Sequence, residues 1–360
     1  MKSGMRNLST AGQLALLGLL LGIPAWASKP SKAPPSEPGP ELLLDGGRKL
    51  VYEQSFNSEH EVKPKRGFWT KVLDVVAGEP DYRELVAPYS ITTDSRGRII
   101  VTDPGAFGVH IFDFAQQKYK FLSRADKGKD AMGVPQCVAV DAQDNIYVTD
   151  SEAGKIFVFN ADGKYQRAIG SLKGGEGFFK RPTGIAVDSA QQRIYVTDTL
   201  RNQVYVLDMQ GSVLQVIGKT GSGNGEFNYP TELRLNGQDL VVVDAMNFRV
   251  QVLSRSGEFK YAIGQIDDSV GGMFRPKGIG FDSEGHLYVV DGLWGVVQVF
   301  NGEGQLLYYF GNGTGEGEFQ MPAGLQIDKK DRVYVVDSYN RRIQVFQYFG
   351  AARQAGGGAH

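Results

Sequence analysis

Short apolar runs of period two dominate the chain from about residue 88 onward, and turn residues separate them. Between residues 182 and 218 the runs are PTGIAVD, RIYVTD, QVYVLD and SVLQVIG. Alternation of β-branched and aromatic residues with polar ones, closed by Gly, Asn or Asp, predicts β-strands rather than helices. The pattern recurs in register. Pro88, Pro135, Pro182, Pro230, Pro276 and Pro322 open successive units at spacings of 47, 47, 48, 46 and 46. Six residues after each proline stands Asp94, Asp141, Asp188, Asn236, Asp282 or Asp328. A second aspartate follows: Asp103, Asp150, Asp198, Asp244, Asp291 and Asp337. In the four middle units Gly170, Gly218, Gly264 and Gly311 each fall 20 residues later. Four short strands per unit make a sheet that must bury both faces against its neighbours, and six such sheets close into a ring. The predicted fold is all-β: a six-bladed β-propeller with four antiparallel strands per blade.

The sixth unit runs out of alternation after Gly350 and offers only three strands. Lys49 to Phe56 (KLVYEQSF) has the fourth-strand pattern, with Leu50, Tyr52 and Phe56 on one face. An N-terminal strand completing the last blade would close the ring and leave no open edge there. The propeller is therefore expected over residues 47–350. Between Phe56 and Pro88 about twenty residues exceed an ordinary connector. Within them Trp69, Val72, Leu73 and Val76 recur at helical spacing, predicting a short helix over about 67–77 that docks across the ring or beside one blade.

The ends change the picture of where the protein works. Lys2 and Arg6 precede an apolar run of about ten residues, and Ala25-Trp26-Ala27 offers a small-x-small cleavage pattern, so residues 1–27 read as a secretory signal. Such a run is shorter than the roughly 20 residues a membrane-spanning helix needs. Residues 28–46 read as a disordered Pro/Ser-rich linker and 351–360 as a disordered tail. An exported monomer, periplasmic or extracellular, is expected.

The chain carries 39 basic and 40 acidic residues, and removing Lys2 and Arg6 leaves the mature form near −3. That balance argues against nucleic acid as a partner. A single cysteine, Cys137, excludes an intrachain disulfide. No metal or cofactor site is expected: of the four histidines, His60 and His360 lie outside the blades, while His110 and His286 fall on third and second strands rather than axial ones.

The P-x-G-I-A-V-D … Y-V-x-D-x-x-N-x-R-V-Q-V-F pattern, best seen at Pro276–Phe300 and Pro322–Phe346, resembles that of NHL-repeat propellers of the bacterial exported, propeller-only type. Asn247-Phe248-Arg249 and Asn340-Arg341-Arg342 stand where the Asn-His-Leu of the name would be. Peptide-amidating lyases share this propeller type and hold zinc with convergent histidines, which this chain lacks. The RNA-binding propellers of animal regulators are disfavoured by export and by charge.

Strand alternation puts the loops between second and third strands on the same face as the connectors between blades, and loops on a rigid scaffold are where binding residues gather. Arg181, Tyr229 and Arg275 precede opening prolines, Glu232 and Lys277 follow them, and Phe248, Trp294 and Tyr339 lie in those loops. Exposed aromatics beside arginines suit a ligand face. Glu232 and Lys277 read as a ligand-orienting pair or, preferably, a salt bridge between adjacent blades. The twelve repeated Asp and Asn side chains read as turn caps. The expected function is non-catalytic binding of a protein, peptide or glycan on this face. The alternative is a lyase or hydrolase at the channel mouth.

Overall fold

A computed structural model describes residues 40–63, 82–123, 132–173, 176–265 and 271–351. The signal, most of the linker, the helix expected over 67–77 and the tail from residue 352 lie outside these residues. Six antiparallel sheets form the ring. Blade one runs from Ser90 to Leu122, two from Pro135 to Ile169, three from Pro182 to Ile217, four from Pro230 to Ile263 and five from Pro276 to Gly311. Blade six takes Leu325–Ile327, Arg332–Asp337 and Arg342–Phe349 from the C-terminus and Lys49–Phe56 from the N-terminus. The closing strand pairs Lys49 with Phe349 and Phe56 with Ile343.

One boundary is corrected. Glu41–Leu43, assigned to the linker from sequence, forms a fifth strand on blade six, pairing Glu41 with Val51 and Leu43 with Lys49. Three residues rich in polar and proline neighbours carry too little pattern to announce a strand, and the open edge of Lys49–Phe56 supplies the hydrogen bonds.

Burial follows the alternation. Second and third strands, such as IYVTD and KIFVF of blade two, are buried throughout, whereas outer strands alternate half-buried with exposed positions. The core is a series of clusters between neighbouring blades. Where the ring closes, Phe56 packs edge-on against Phe112 and Phe114 of blade one, with centroids 5.1 Å away in both cases. Glu284 of blade five fastens both termini: it accepts from Arg48 Nε at 2.9 Å, from Tyr348 Oη at 2.9 Å and from the Ala351 N–H at 3.1 Å. Among the described residues no helix is long and apolar enough to cross a membrane.

Candidate functional site on the loop-bearing face

The second aspartate of each blade is fully buried and caps the entrance to its own first strand. Asp103 accepts the N–H groups of Val86, Ala87 and Ala106, and Asp291 those of Phe274, Leu293 and Trp294. In blades four and six the same carboxylate takes side chains besides one backbone N–H: Asn247, Arg249 and Gln251 on Asp244 with the N–H of Asn228, and Asn340, Arg342 and Gln344 on Asp337 with that of Gln320. Their capacity is used within the blade, so no ring of free carboxylates faces a ligand. His110 occupies the place of Gln251 and Gln344. It is buried, with Nδ1 2.9 Å from Tyr119 Oη and Nε2 3.3 Å from Asp103. His286 Nδ1 sits 2.8 Å from Asp282 at the opposite face. Among the described residues no three His, Cys, Asp or Glu side chains converge as metal ligands would.

The turns that follow share one backbone feature. The fourth residue after each second aspartate is left-handed: Gly154 and Gly295 in two blades, but Phe107, Asn202, Phe248 and Arg341 in the others, with φ between 54° and 57°. Tyr229 (φ 55°) and Met321 (φ 48°), just before opening prolines, are left-handed as well. A bulky side chain in this region costs about 1–2 kcal/mol.

Three of these strained positions, Phe107, Tyr229 and Met321, belong to a wider set of exposed apolar side chains. Val86, Phe107, Leu200, Tyr229, Met246, Leu293, Met321 and Tyr339, between 44% and 66% exposed, all project from the loop-bearing face. Among the described residues, none of the exposed large apolar side chains lies in a turn of the opposite face; the others are Leu43, Leu172 on a connector, and six on the outer strands of blades three to five. The predicted rim of Phe248, Trp294 and Tyr339 is thus partly relocated. Tyr339 is exposed, but Phe248 is half-buried and Trp294 leans on Phe274 with centroids 6.0 Å apart. Met246 and Leu293, one or two residues earlier, take the outward positions. A left-handed turn swings the chain there, which periodicity does not report.

Inside the channel the expected Glu232–Lys277 pair does not form. Glu232, 4% exposed, pairs with Arg234 two residues along the same strand and accepts from Cys137 Sγ at 3.1 Å. Arg234 Nη2 donates on to the Leu325 carbonyl of blade six at 3.3 Å. Cys137 belongs to blade two and Glu232 to blade four, and Gly184 of blade three lets them meet: a Cβ there would stand 2.9 Å from Glu232 Cα. Burial pushes the Cys137 thiol well up, and the neighbouring Glu232 adds to this; burial also raises the Glu232 carboxyl against the pull of Arg234. The trio is an internal bolt, so Glu232 is withdrawn from the ligand-facing set. A carboxylate does accompany Cys137, but as an acceptor for a buried, protonated thiol. Lys277 instead lies over the Tyr89 ring, its Nζ 5.7 Å from the centroid. Arg181 and Arg275 are exposed.

The family comparisons bear on this geometry. A family model described as a 6-bladed beta-propeller matches residues 134–195 and 186–264, and the NHL-repeat model matches residues 319–346. The chain is a six-bladed propeller that carries an NHL repeat. It is 32% identical over 119 residues to the B-box type zinc finger protein ncl-1 of Caenorhabditis elegans and 26% identical over 114 residues to protein brain tumor of Drosophila melanogaster. These stretches cover 32% and 31% of this chain, but only 14% and 11% of those proteins. A streptogramin B lyase structure superposes with a TM-score of 0.54 at 15% identity, over 73% of this chain and 94% of the lyase. That likeness shows the propeller fold and nothing of its chemistry.

Proposed function

We propose that this propeller is an exported, non-catalytic scaffold that binds a protein, peptide or glycan on its loop-bearing face. One observation carries the reading: large apolar side chains are held exposed on that face in left-handed backbone that glycine would occupy without strain. Phe107 is the clearest case, 58% exposed at a position where blades two and five use glycine. Strain retained at an exposed side chain points to a role in contact rather than in folding, and an apolar surface of this kind on one face marks an interaction site. The signal pattern of residues 1–27 supports export.

The enzymatic alternative draws on Lys277, whose amine is pushed down to about 8 by burial and by Arg275, an ionisation suited to nucleophilic chemistry at the mouth. The two readings separate by photocrosslinking in the native envelope. A benzophenone residue at Phe107 or Tyr339 should yield a discrete adduct, and one at Glu303, on a turn of the opposite face, should not. Equal labelling from Glu303, or none from either rim position, defeats the binding reading.

A further inference from the structure

The axis of the loop-bearing face gathers positive charge that nothing in the described protein neutralises. Arg181 and Arg275 precede the opening prolines of blades three and five, Lys277 follows the latter, and Tyr89 follows that of blade one. Blades one, three and five alternate around the ring, so these groups approach the mouth from three sides. Lys277 reaches Tyr89 past blade six, where Ala323 and Gly324 leave space. Its stem rests on Gly292, at which a Cβ would stand 3.0 Å from Lys277 Cε.

Three other arginines of this face are matched: Arg201 with Asp198 at 3.1 Å, Arg249 with Asp244 at 2.9 Å and Arg342 with Asp337 at 2.7 Å. Arg181, Arg275 and Lys277 have no carboxylate within 4.0 Å among the described residues. Thr231 Oγ1, beside them in blade four, is buried without a hydrogen-bond partner. Burial pushes the Tyr89 hydroxyl up, with Cys137 and Glu232 adding to the shift against Arg181 and Arg275, so it stays a donor. The acid below, Glu232, is already engaged by Arg234 and Cys137. The mouth therefore offers donors and cations, ringed by the apolar rim.

We infer that this mouth receives a carboxylate of an acidic, partly apolar peptide, seated between Arg181, Arg275 and Lys277 while flanking side chains lie on Phe107, Leu293 and Tyr339. The inference rests on the loop-bearing face being the binding face and adds the chemistry of what it binds. Charge complementarity selects the occupant. A polyanion wants cations strung along a groove at phosphate spacing, whereas here they converge on Tyr89, which fits one carboxylate inside an apolar ring. Guanidinium groups suit that partner because their fork matches its two oxygens.

The test pans a phage-displayed library of short random peptides over the full-length protein. Enriched peptides should combine Asp or Glu with aromatic or aliphatic residues. Replacing the acid of a synthetic binder by its amide should weaken binding about tenfold or more, as should Arg275→Gln or Lys277→Gln, the loss of one charge-assisted hydrogen bond being of that size. Arg181→Gln, on an exposed side chain, repeats the measurement should either variant fold poorly. Enrichment without acids, equal binding of acid and amide, or no enrichment at all overturns the inference. If binding survives all three cation variants but is lost in Phe107→Gly with Tyr339→Ser, the carboxylate site fails and the face reading stands. If it survives those as well, the face reading fails too.

Discussion

Closure of the ring by the N-terminal strand makes Phe56 a sensitive probe. Its side chain is 2% exposed, pairs in register with Ile343, and meets Phe112 and Phe114 of blade one edge-on at 5.1 Å. Ile91, Val101 and Val336 belong to the same buried cluster. Truncation to alanine removes a ring from a site bounded by two rigid blades that cannot collapse onto the gap. A buried Phe→Ala costs about 3–5 kcal/mol, and two edge-to-face pairs place Phe56→Ala toward the upper end, about 4–5 kcal/mol. The closing strand is the link that joins the N-terminal segment to the C-terminal strands of blade six, so the whole closure should be weakened. Urea unfolding of the full-length protein measures this, with Tyr261→Ala, a 40% exposed site on the outer strand of blade four, as a control expected to cost under about 1 kcal/mol. Deleting residues 47–56 should go further and yield an open edge that aggregates. A loss below about 1 kcal/mol for Phe56→Ala with an unchanged m-value would show that the strand frays from the blade, and refute this account of closure.

Phe107→Gly should raise stability by about 1 kcal/mol by relieving its left-handed backbone, while weakening ligand binding; calorimetry alongside crosslinking yield checks both halves. Cys137 should resist iodoacetamide in the native state at neutral pH and react on unfolding, since its thiol is buried and raised; rapid native alkylation would contradict the closed bolt. Lys277, at about 8 when folded against an ordinary 10.5, should acylate with a pH midpoint near 8, followed by peptide mass spectrometry. Its depressed value means that the penalty for burying the charge is present below about 8 and relieved as pH climbs toward 10.5, so Lys277→Gln should abolish that gain. At Glu284 burial pulls upward, but hydrogen bonds from Tyr348, Arg48 and Ala351 outweigh it and hold the carboxyl below its ordinary 4.5. Its contribution is complete above about 4.5 and lost as pH falls through the lower folded value, so Glu284→Gln should flatten the acid limb of the stability profile.

The architecture was legible because a propeller writes its contacts into a one-dimensional period. Each blade repeats the same proline, the same capping Asp or Asn and the same alternation, so six copies announce six sheets, and the pattern of Lys49–Phe56 suffices to identify the missing strand. Asp103 and its equivalents could be read as caps from their repeated place at the end of a strand, whereas their bonds to N–H groups 16–18 residues back, before the opening prolines, needed the fold. The candidate site was legible only in outline. Arg181, Tyr229, Arg275 and Tyr339 could be placed on the loop-bearing face from strand direction alone. That Glu232 turns to Arg234 and Cys137, leaving Lys277 to Tyr89, depends on the width of the channel and on Gly184, Ala323 and Gly324 clearing space across two blades. Such distances are set by ring closure, not by sequence separation. The same holds for Met246 and Leu293, which face outward because a left-handed turn rotates them there. Periodicity reports which face of a strand is buried; it is silent on turns, where the backbone leaves the pleat and tertiary hydrogen bonds decide which side chain meets the solvent.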